Sequence, residues 1–328
     1  MHAPNARLLT IGALCAAALV LLPAPLSAQE WPQKSVKVIV PLAPGGAADL
    51  VMRAVGEEFT ANTKQAVILE NRPGGGGTLA AETVMRSPAD GYTLLMGNSA
   101  IFGVTPHLVK KINYDPINDF TPITTFVELP IVLVVNNDVP ANNVAEFIDY
   151  AKKNPGKLSF GSSGYGTTMH LAGELLNERA GIQMTHIPYK GGAPALVDVL
   201  SGQIPVVMAA LSTVAPHIGG GKVKVLATVE SKRSASHPDI PTVGETLPGY
   251  AVPASWLGVL GPAGLPEPVT AKMLTEFLRA TNAPNVQAML KKNGFDMLTR
   301  SGADLGREIK EDFAVYGKIF EAARITPQ

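Results

Sequence analysis

The segment that most constrains the fold of this chain is residues 36–59, VKVIVPLAPGGAADLVMRAVGEEF. Its first five residues are β-branched and apolar apart from one lysine, a pattern that predicts a buried strand. The prolines and glycines at positions 41–46 cannot continue a strand and predict a turn. Apolar residues at a 3.6-residue period then predict a helix, in which Asp49 and Arg53 are spaced for an ion pair.

A strand, a glycine turn and a helix start together direct unpaired backbone N–H groups at one point, where the helix dipole also attracts an anion. Glycines at positions 45 and 46 would let a ligand approach the main chain closely. Such turns occur throughout βαβ proteins, so this one also fits a purely structural role. The same pattern recurs at residues 157–176, and this recurrence favours an anion site.

Residues 1–28 are typical of a secretory signal peptide. Arg7 gives a basic start, residues 8–22 are almost wholly apolar, and the segment 26–28 predicts cleavage near Ala28. The apolar run is short for a membrane span and nothing comparable follows it, so we expect a periplasmic protein. The only cysteine, Cys15, lies in this segment. The mature chain would therefore have no disulfide, catalytic thiol or thiolate metal site.

The charge balance excludes several kinds of partner. Without Arg7, the 27 basic residues fall to 26, against 27 acidic residues. No basic stripe or polycationic tail is present, so we expect neither nucleic acid nor an anionic membrane surface as a partner. The 46% apolar content is enough for a core without disulfides.

Strand and helix patterns alternate along the chain, which predicts an α/β fold with a parallel sheet and helices on both faces. Residues 114–121 are predicted to be a loop, and the part after residue 266 is predicted to be helical, including residues 301–323. An apolar strand at 130–135 is predicted to cross into a second domain. We expect one lobe from residues 29–128 plus 251–328 and another from residues 129–250.

The second glycine turn, residues 160–170, reads FGSSGYGTTMH. Thr167 or Thr168 is a good N-cap for the helix that follows. Two interpretations stay open: a capped helix after a tight turn, or a second set of N–H and O–H donors around a small anion. His170 could donate to a carboxylate or satisfy a neighbouring carbonyl, and we favour the carbonyl.

The sequence gives little evidence of a catalytic or cofactor-binding motif. No G-x-S-x-G elbow is present, and the histidines lack metal-ligand spacing. The glycines at 161–166 run opposite to the dinucleotide fingerprint, and residues 74–78 lack the lysine of a P-loop, so we interpret them as a turn and helix cap. We expect no enzyme, no cofactor and no metal. Tyr165, Tyr189 and Trp256 fit either a cleft wall or the core.

A series of motifs in fixed order resembles the Bug-type extracytoplasmic solute-binding receptors of the tripartite tricarboxylate transporter family. The motifs are PLAPGGAAD, ENRPGGGGT, ADGYTLLMGN, YDPINDFTPI, GSSGYGTTMHLAGE, HIPYKGGAPALVDVLSGQ, DIPTVGE and LGVLGPAGLP. The resemblance implies a two-lobed periplasmic-binding-protein (type II) fold with a ligand cleft between the lobes. It implies capture of a small organic mono-, di- or tricarboxylate, through two strand-to-helix loops and bound water, for membrane permease subunits. We expect a monomer.

Carried onto this sequence, the resemblance assigns the first loop to residues 44–49 and the second to residues 162–168. The predicted ligand-binding residues are Pro44, Gly45, Gly46, Ala47, Asp49, Asn98, Ser162, Gly164, Gly166, Thr167, Thr168, His170 and Tyr189. Two other functions stay open: a carboxylate-sensing receptor subunit of a signalling system, and an enzyme acting on a small organic acid.

Overall fold

The computed structural model describes residues 31–42, 44–322, 325 and 327. The predicted signal peptide, residues 1–28, lies outside the described residues. Within those described ranges, no helix combines the length and the apolar character needed to cross a membrane.

The described residues form two β-sheets. The first sheet consists of β1 (Val36–Val40), β2 (Val67–Asn71), β3 (Thr93–Asn98), β4 (Phe120–Leu129), β10 (Ser255–Pro262) and β11 (Asp296–Ser301). The second sheet consists of β5 (Ile131–Asn136), β6 (Leu158–Ser162), β7 (Met184–Pro188), β8 (Val206–Ala210) and β9 (Val223–Thr228). The strand order is β11-β4-β10-β3-β1-β2 in the first sheet and β7-β6-β8-β5-β9 in the second. The chain therefore enters the second sheet after β4 and returns to the first at β10.

Helices connect and cover the strands. They are α1 (Ala47–Thr63), α2 (Thr78–Met85), α3 (Thr105–Leu108), α4 (Val144–Lys153), α5 (Thr168–Ala180), α6 (Gly192–Leu200), α7 (Leu211–Val214), α8 (Val243–Thr246), α9 (Glu267–Thr281), α10 (Pro284–Lys292) and α11 (Gly302–Ala322). Short 3₁₀ turns occupy Gly75–Gly77 and Ala215–His217, and one π turn occupies Ala100–Val104. We call the first sheet with its helices lobe 1 and the second sheet with its helices lobe 2.

The strand, turn and helix predicted at residues 36–59 are confirmed. The valines of β1 are fully buried and share one core cluster with the apolar face of α1. β1 pairs in parallel with both β2 and β3, so its carboxyl end opens at the same edge as theirs. The predicted ion pair is also present, with Arg53 Nε 2.9 Å from Asp49 Oδ2.

The prediction of a parallel sheet is wrong for part of each lobe. β10 runs antiparallel to β3 and β4, β11 runs antiparallel to β4, and β5 runs antiparallel to β8 and β9. β4 and β11 were not predicted as strands, because threonines and Pro122 interrupt the apolar pattern of β4. Their pairing is decided by the tertiary fold: Thr124 is fully buried, and its Oγ1 donates to Arg300 O in β11 at 2.7 Å.

Two short segments join the lobes, one at Pro130 and the other at residues 252–254. Glu230 lies between them, and its Oε1 accepts a hydrogen bond from Ile131 N at 2.7 Å. Val252 N donates to Val229 O at 3.0 Å. Burial raises the pKa of Glu230 to about 8. The domain boundaries predicted at 128/129 and 250/251 lie near these two segments and stay a prediction.

Candidate ligand-binding cleft

A cavity of about 330 Å³ lies between the two lobes. Its lining consists of Pro41, Leu42, Gly76, Gly77, Asn98, Ser99, Ala100, Thr105, Leu108 and Ser255 in lobe 1, Ile131 at a joining segment, and Ser163, Tyr165, Gly166, Thr167, Thr168 and Met169 in lobe 2. Most of these residues follow the carboxyl ends of β1, β2, β3 and β6, where α/β sheets generally bind ligands. The volume is at the lower end of the roughly 300–1,000 Å³ of ligand pockets, so a small molecule fits.

The turn between β6 and α5 forms the lobe 2 wall of the cavity. Thr167 caps α5 as predicted: its Oγ1 accepts from His170 N at 3.3 Å and donates to Gly164 O at 2.8 Å. Gly164 and Gly166 have φ angles of +139° and +72°, which residues with a Cβ rarely adopt. The first two residues of α5 line the cavity, and N–H groups at these positions have no acceptor inside a helix.

A stacked pair of histidines supports this turn from behind. The expectation that His170 satisfies a carbonyl is wrong, because its Nδ1 accepts from Gly166 N at 3.0 Å. The ring of His186 stacks on it with centroids 3.9 Å apart, and His186 Nε2 lies 2.7 Å from Ser162 Oγ. Burial, followed by the charge of His170, lowers the pKa of His186 to about 4. His186 is therefore neutral at pH 7.

Hydroxyl groups form the floor of the cavity. Ser99 Oγ and Ser255 Oγ are 3.2 Å apart. Beneath them lies Tyr316 of α11, which is fully buried and donates to Pro253 O at 3.2 Å. Its hydroxyl also interacts with those of Ser99 and Thr168, and burial raises the pKa of Tyr316. This tyrosine therefore contacts both lobes and one joining segment.

The first predicted loop, residues 44–49, lies outside the cavity lining. Asp49 is buried, and its Oδ2 accepts from Gly45 N at 3.0 Å and from Arg53 Nε at 2.9 Å. Its Oδ1 accepts from Asn71 Nδ2 at 3.2 Å. The hydrogen bond from Arg53 holds the pKa of Asp49 below its usual range. The Asp49 carboxylate is thus engaged within the loop and the helix start.

Four of the predicted binding residues line the cavity together: Asn98, Gly166, Thr167 and Thr168. Asn98 Oδ1 accepts from Ile101 N at 3.0 Å, so its amide NH₂ remains as the donor. The other predicted residues in the described part of the chain are outside the lining; they are Pro44, Gly45, Gly46, Ala47, Asp49, Ser162, Gly164, His170 and Tyr189.

The three aromatic candidates lie in three different environments. Tyr165 lines the cavity and is 42% exposed. Tyr189 Oη donates to Asp198 Oδ2 at 2.6 Å, and burial followed by this hydrogen bond raises its pKa to about 12. Trp256 is fully buried, and its Nε1 donates to Asp312 Oδ2 at 3.0 Å. Trp256 is therefore a core residue.

The glycine run after β2 lines the cavity, although the sequence interpretation assigned it only a structural turn. Gly76 and Gly77 have φ angles of +64° and +94°, and Thr105 Oγ1 donates to Gly76 O at 2.9 Å. A glycine run directly after a strand next to β1 is the signal that could have indicated this wall. Ser255 has no comparable signal, because it reaches the cavity only through the antiparallel pairing of β10 with β3.

The chemistry of the cavity suits a small anion. Among the described residues, every side chain in the lining is uncharged. Hydroxyls, one amide and the start of α5 offer donors. Over the same part of the chain, no group of three or more His, Cys, Asp or Glu residues is placed to hold a metal. Ser162, which pairs with His186 behind the lobe 2 wall, is fully buried and closed to a substrate.

The chain is similar to known proteins along most of its length. Residues 51–325 match the family described as tripartite tricarboxylate transporter family receptor. The chain is 34% identical to a UPF0065 protein of Bordetella pertussis (strain Tohama I), over 95% of this chain and 96% of that protein. It also resembles the structure of R. palustris Rpa4515 with adipate, with a TM-score of 0.79, 31% identity and coverage of 91% and 100%. The periplasmic binding protein BugD gives a TM-score of 0.76, 33% identity and coverage of 91% and 100%.

The family match begins within α1 and includes β2 to β11 and the cavity walls from Gly76 onward. These similarities confirm the Bug-type resemblance and the two-lobed binding-protein fold expected from the sequence. The chain belongs to the tripartite tricarboxylate transporter receptor family.

Proposed function

We propose that this chain is a periplasmic receptor that captures a small organic carboxylate and delivers it, chemically unchanged, to membrane permease subunits. The observation that supports this most directly is the small uncharged cavity between the lobes, with the start of the 13-residue helix α5 in its wall. The adipate in the similar Rpa4515 structure is an organic acid of the kind we assign to this cavity.

The carboxylate binds at the start of α5. There the backbone N–H groups of Thr168 and Met169 and the hydroxyls of Ser163 and Thr168 can converge on it. Charge-assisted hydrogen bonds contribute about 1.5–3 kcal/mol each, and a helix start adds roughly 0.3–1 kcal/mol. Three or four such bonds account for micromolar affinity, about −8 kcal/mol, without a salt bridge.

Residues 44–49 form the second part of the proposed site, on lobe 1. Gly45 N–H is already donated to Asp49, so we assign the contact to Gly46 and Ala47, where α1 begins. Closure of the lobes about the two joining segments would bring this loop towards the ligand. The lobes already approach each other, since a Cβ added at Gly166 would collide with Leu108.

A receptor explains the cavity better than an enzyme does. A hydrolase needs an accessible nucleophile beside a base, and the Ser162–His186 pair is behind the lining with Ser162 fully buried. Among the described lining residues there is no carboxylate, histidine or lysine, and Tyr165 is the one side chain with an ionisable group. Delivery to a permease is favoured over signalling because the family is described as a transporter receptor.

Thermal-shift measurements with a panel of carboxylates test this function, followed by calorimetry on the hits. A ligand at ~100 times its dissociation constant raises the free energy of unfolding by about 2.7 kcal/mol. NMR of the recovered acid should show it unchanged, whereas product formation would favour the enzyme. Uptake by membranes carrying the permease subunits should require this protein.

A charge placed in the cavity gives a matched test. Ser163→Glu puts a carboxylate into the lining and should weaken binding of any acid at least tenfold by repulsion. Gln183→Glu adds the same charge at an exposed position before β7, at the opposite edge of the sheet, and should leave affinity unchanged. Equal affinities for the two variants would place the acid elsewhere.

A further inference from the structure

We propose that His170 is a positioning residue of the carboxylate site, and that it holds the site in its binding form only while its imidazole is neutral. Uptake of a proton by His170 then releases the bound acid. This inference rests on the proposed function and adds a control of that same site. It follows from the direction of one hydrogen bond and from the groups that surround the ring.

The hydrogen bond between Gly166 and His170 requires a neutral ring. The backbone N–H of Gly166 is the donor, and His170 Nδ1 is the acceptor, 3.0 Å away. A ring nitrogen accepts only through a free lone pair, so Nδ1 carries no proton and the neutral ring has its proton on Nε2. An imidazolium has an N–H group at both nitrogens, and its Nδ1–H would face the Gly166 N–H donor to donor. Protonation of the ring therefore breaks this bond.

The bond joins His170 to the wall that receives the carboxylate. Gly166 lines the cavity with a φ angle of +72°, and Thr167 and Thr168 follow it directly. Thr168 is the first residue of α5, whose N–H groups we assign to the carboxylate. His170 itself is 3% exposed and outside the lining. It therefore acts on the ligand through the turn, and loss of its bond to Gly166 displaces the donors at the start of α5.

The titratable groups that face His170 come from α5, β7 and the turn before α5. Glu174 Oε1, on the same helix, lies 3.7 Å from His170 Nε2 and favours a charged ring. The ring of His186 stacks on that of His170 with centroids 3.9 Å apart, and the ring of Tyr165 lies 4.7 Å away. Burial, followed by the charge of His170, lowers the pKa of His186 to about 4. The first proton that enters this stack therefore goes to His170, with Glu174 as its counter-ion.

A proton on His170 has two opposing effects on the affinity for an acid. A charged imidazole behind the wall attracts an anion, which by itself would tighten binding at low pH. Loss of the acceptor displaces Gly166 and the start of α5, which weakens binding at low pH. The second effect dominates, because the ring nitrogen and the amide are in direct contact, whereas the Glu174 carboxylate beside the ring offsets its charge. Affinity should therefore fall as the pH is lowered.

Calorimetry with malate, succinate, adipate and benzoate as probes tests this at about pH 8 and about pH 5, the range over which imidazoles change charge. For each probe that binds, the natural protein should bind at least fivefold more weakly at the lower pH. His170→Asn keeps an acceptor, since its amide Oδ1 takes the place of Nδ1 and does not titrate. This variant should keep most of the affinity and should show only the effect of the probe's own protonation. His170→Leu, which has no acceptor, should bind at least tenfold more weakly than His170→Asn at both pH values.

His186→Gln is the matched control, because it removes the other imidazole of the stack and its amide reaches the Nε2 position that faces Ser162. It should retain the loss of affinity at low pH. Equal or tighter binding by the natural protein at low pH, a loss that persists in His170→Asn, or a loss that disappears in His186→Gln overturns the inference and leaves the proposed function intact. Equal affinities of His170→Leu and His170→Asn also overturn it. Failure of every probe to bind at either pH overturns both.

NMR of the ligand-free protein tests the hydrogen bond without any acid. Imidazole nitrogen shifts should show His170 with its proton on Nε2 at about pH 8 and on both nitrogens at about pH 5. The Gly166 amide should lose protection against hydrogen exchange, relative to its intrinsic rate, when His170 takes up the proton, and should keep it in His170→Asn. A proton on Nδ1 at the higher pH, or unchanged protection of Gly166, contradicts the proposal.

Discussion

Replacing Gly166 by alanine should separate lobe closure from the stability of the fold. Gly166 has a φ angle of +72°, and a Cβ at this position would collide with Leu108 Cδ2. Gly166 belongs to the turn of lobe 2, whereas Leu108 ends α3 in lobe 1. The added methyl group therefore acts in two ways, through backbone strain within one lobe and through a collision between the lobes.

The two effects can be estimated separately. Left-handed backbone costs a residue with a Cβ about 1–2 kcal/mol, which should lower the free energy of unfolding by that amount. Overpacking costs typically about 1–3 kcal/mol, and here it acts on the contact between the lobes, which closure around the ligand would tighten. The collision should therefore weaken affinity roughly 5- to 150-fold.

Calorimetry and denaturant melts on three variants distinguish these effects. Gly181→Ala is the control for strain, because Gly181 has a φ of +62° and open space around it. It should lose stability with unchanged affinity. Adding Leu108→Ala to Gly166→Ala should restore most of the affinity, measured against Leu108→Ala alone. If Gly166→Ala binds the ligand as tightly as the natural protein, or if Leu108→Ala restores nothing, the contact between the lobes does not control closure.

Four further predictions concern export, closure and pH. Mass spectrometry of the exported protein should show cleavage near Ala28, and an intact Met1 would refute the signal peptide. Small-angle scattering should show compaction when a saturating acid is added, and identical profiles would contradict hinge closure. The pKa of His186 is lowered from 6.5 to about 4. Its contribution to the free energy of unfolding should therefore be complete above pH 6.5 and should be lost, by at most about 3 kcal/mol, as the pH falls towards 4. His186→Gln should reduce that loss in urea melts. The pKa of Glu230 is raised from 4.5 to about 8, so its effect on stability has the opposite sign. The free energy of unfolding should fall as the pH rises from 4.5 to 8, and Glu230→Gln should remove this fall.

Local patterns in the sequence were enough to predict much of the fold. The alternating signals for strands and helices located β1 and α1, and the Thr167 cap of α5 is confirmed by its hydrogen bond to His170 N. Ser301 caps α11 in a similar way, since Asp304 N donates to Ser301 Oγ at 3.2 Å. These features were predictable because a cap, a turn or a helix period is satisfied by residues a few positions apart.

Other features depend on residues far apart in the chain and are set by the folded arrangement. β4 and β11 are strands because their partners in the sheet complete their hydrogen bonds, and their own sequences lack the continuous apolar run that identified the other strands. The sequence was equally compatible with Trp256 in a cleft wall or in the core. The structure shows that it is in the core, where its indole N–H donates to Asp312 of α11.

The residues of the cleft likewise include some that the sequence predicted and others that only the folded structure revealed. Sequence patterns identified the turn at 162–168, because its glycines and hydroxyls are local and unusual. They did not predict that Gly76, Gly77 and Ser255 lie beside that turn. The two glycines follow β2 and Ser255 begins β10, and these segments meet the turn only once the strand order is fixed. They also could not show that Gly45 N–H is already donated to Asp49, or that Leu108 faces Gly166. Whether a donor is free and whether the lobes touch both depend on distances between residues that are far apart in the chain. A local sequence pattern does not specify those distances.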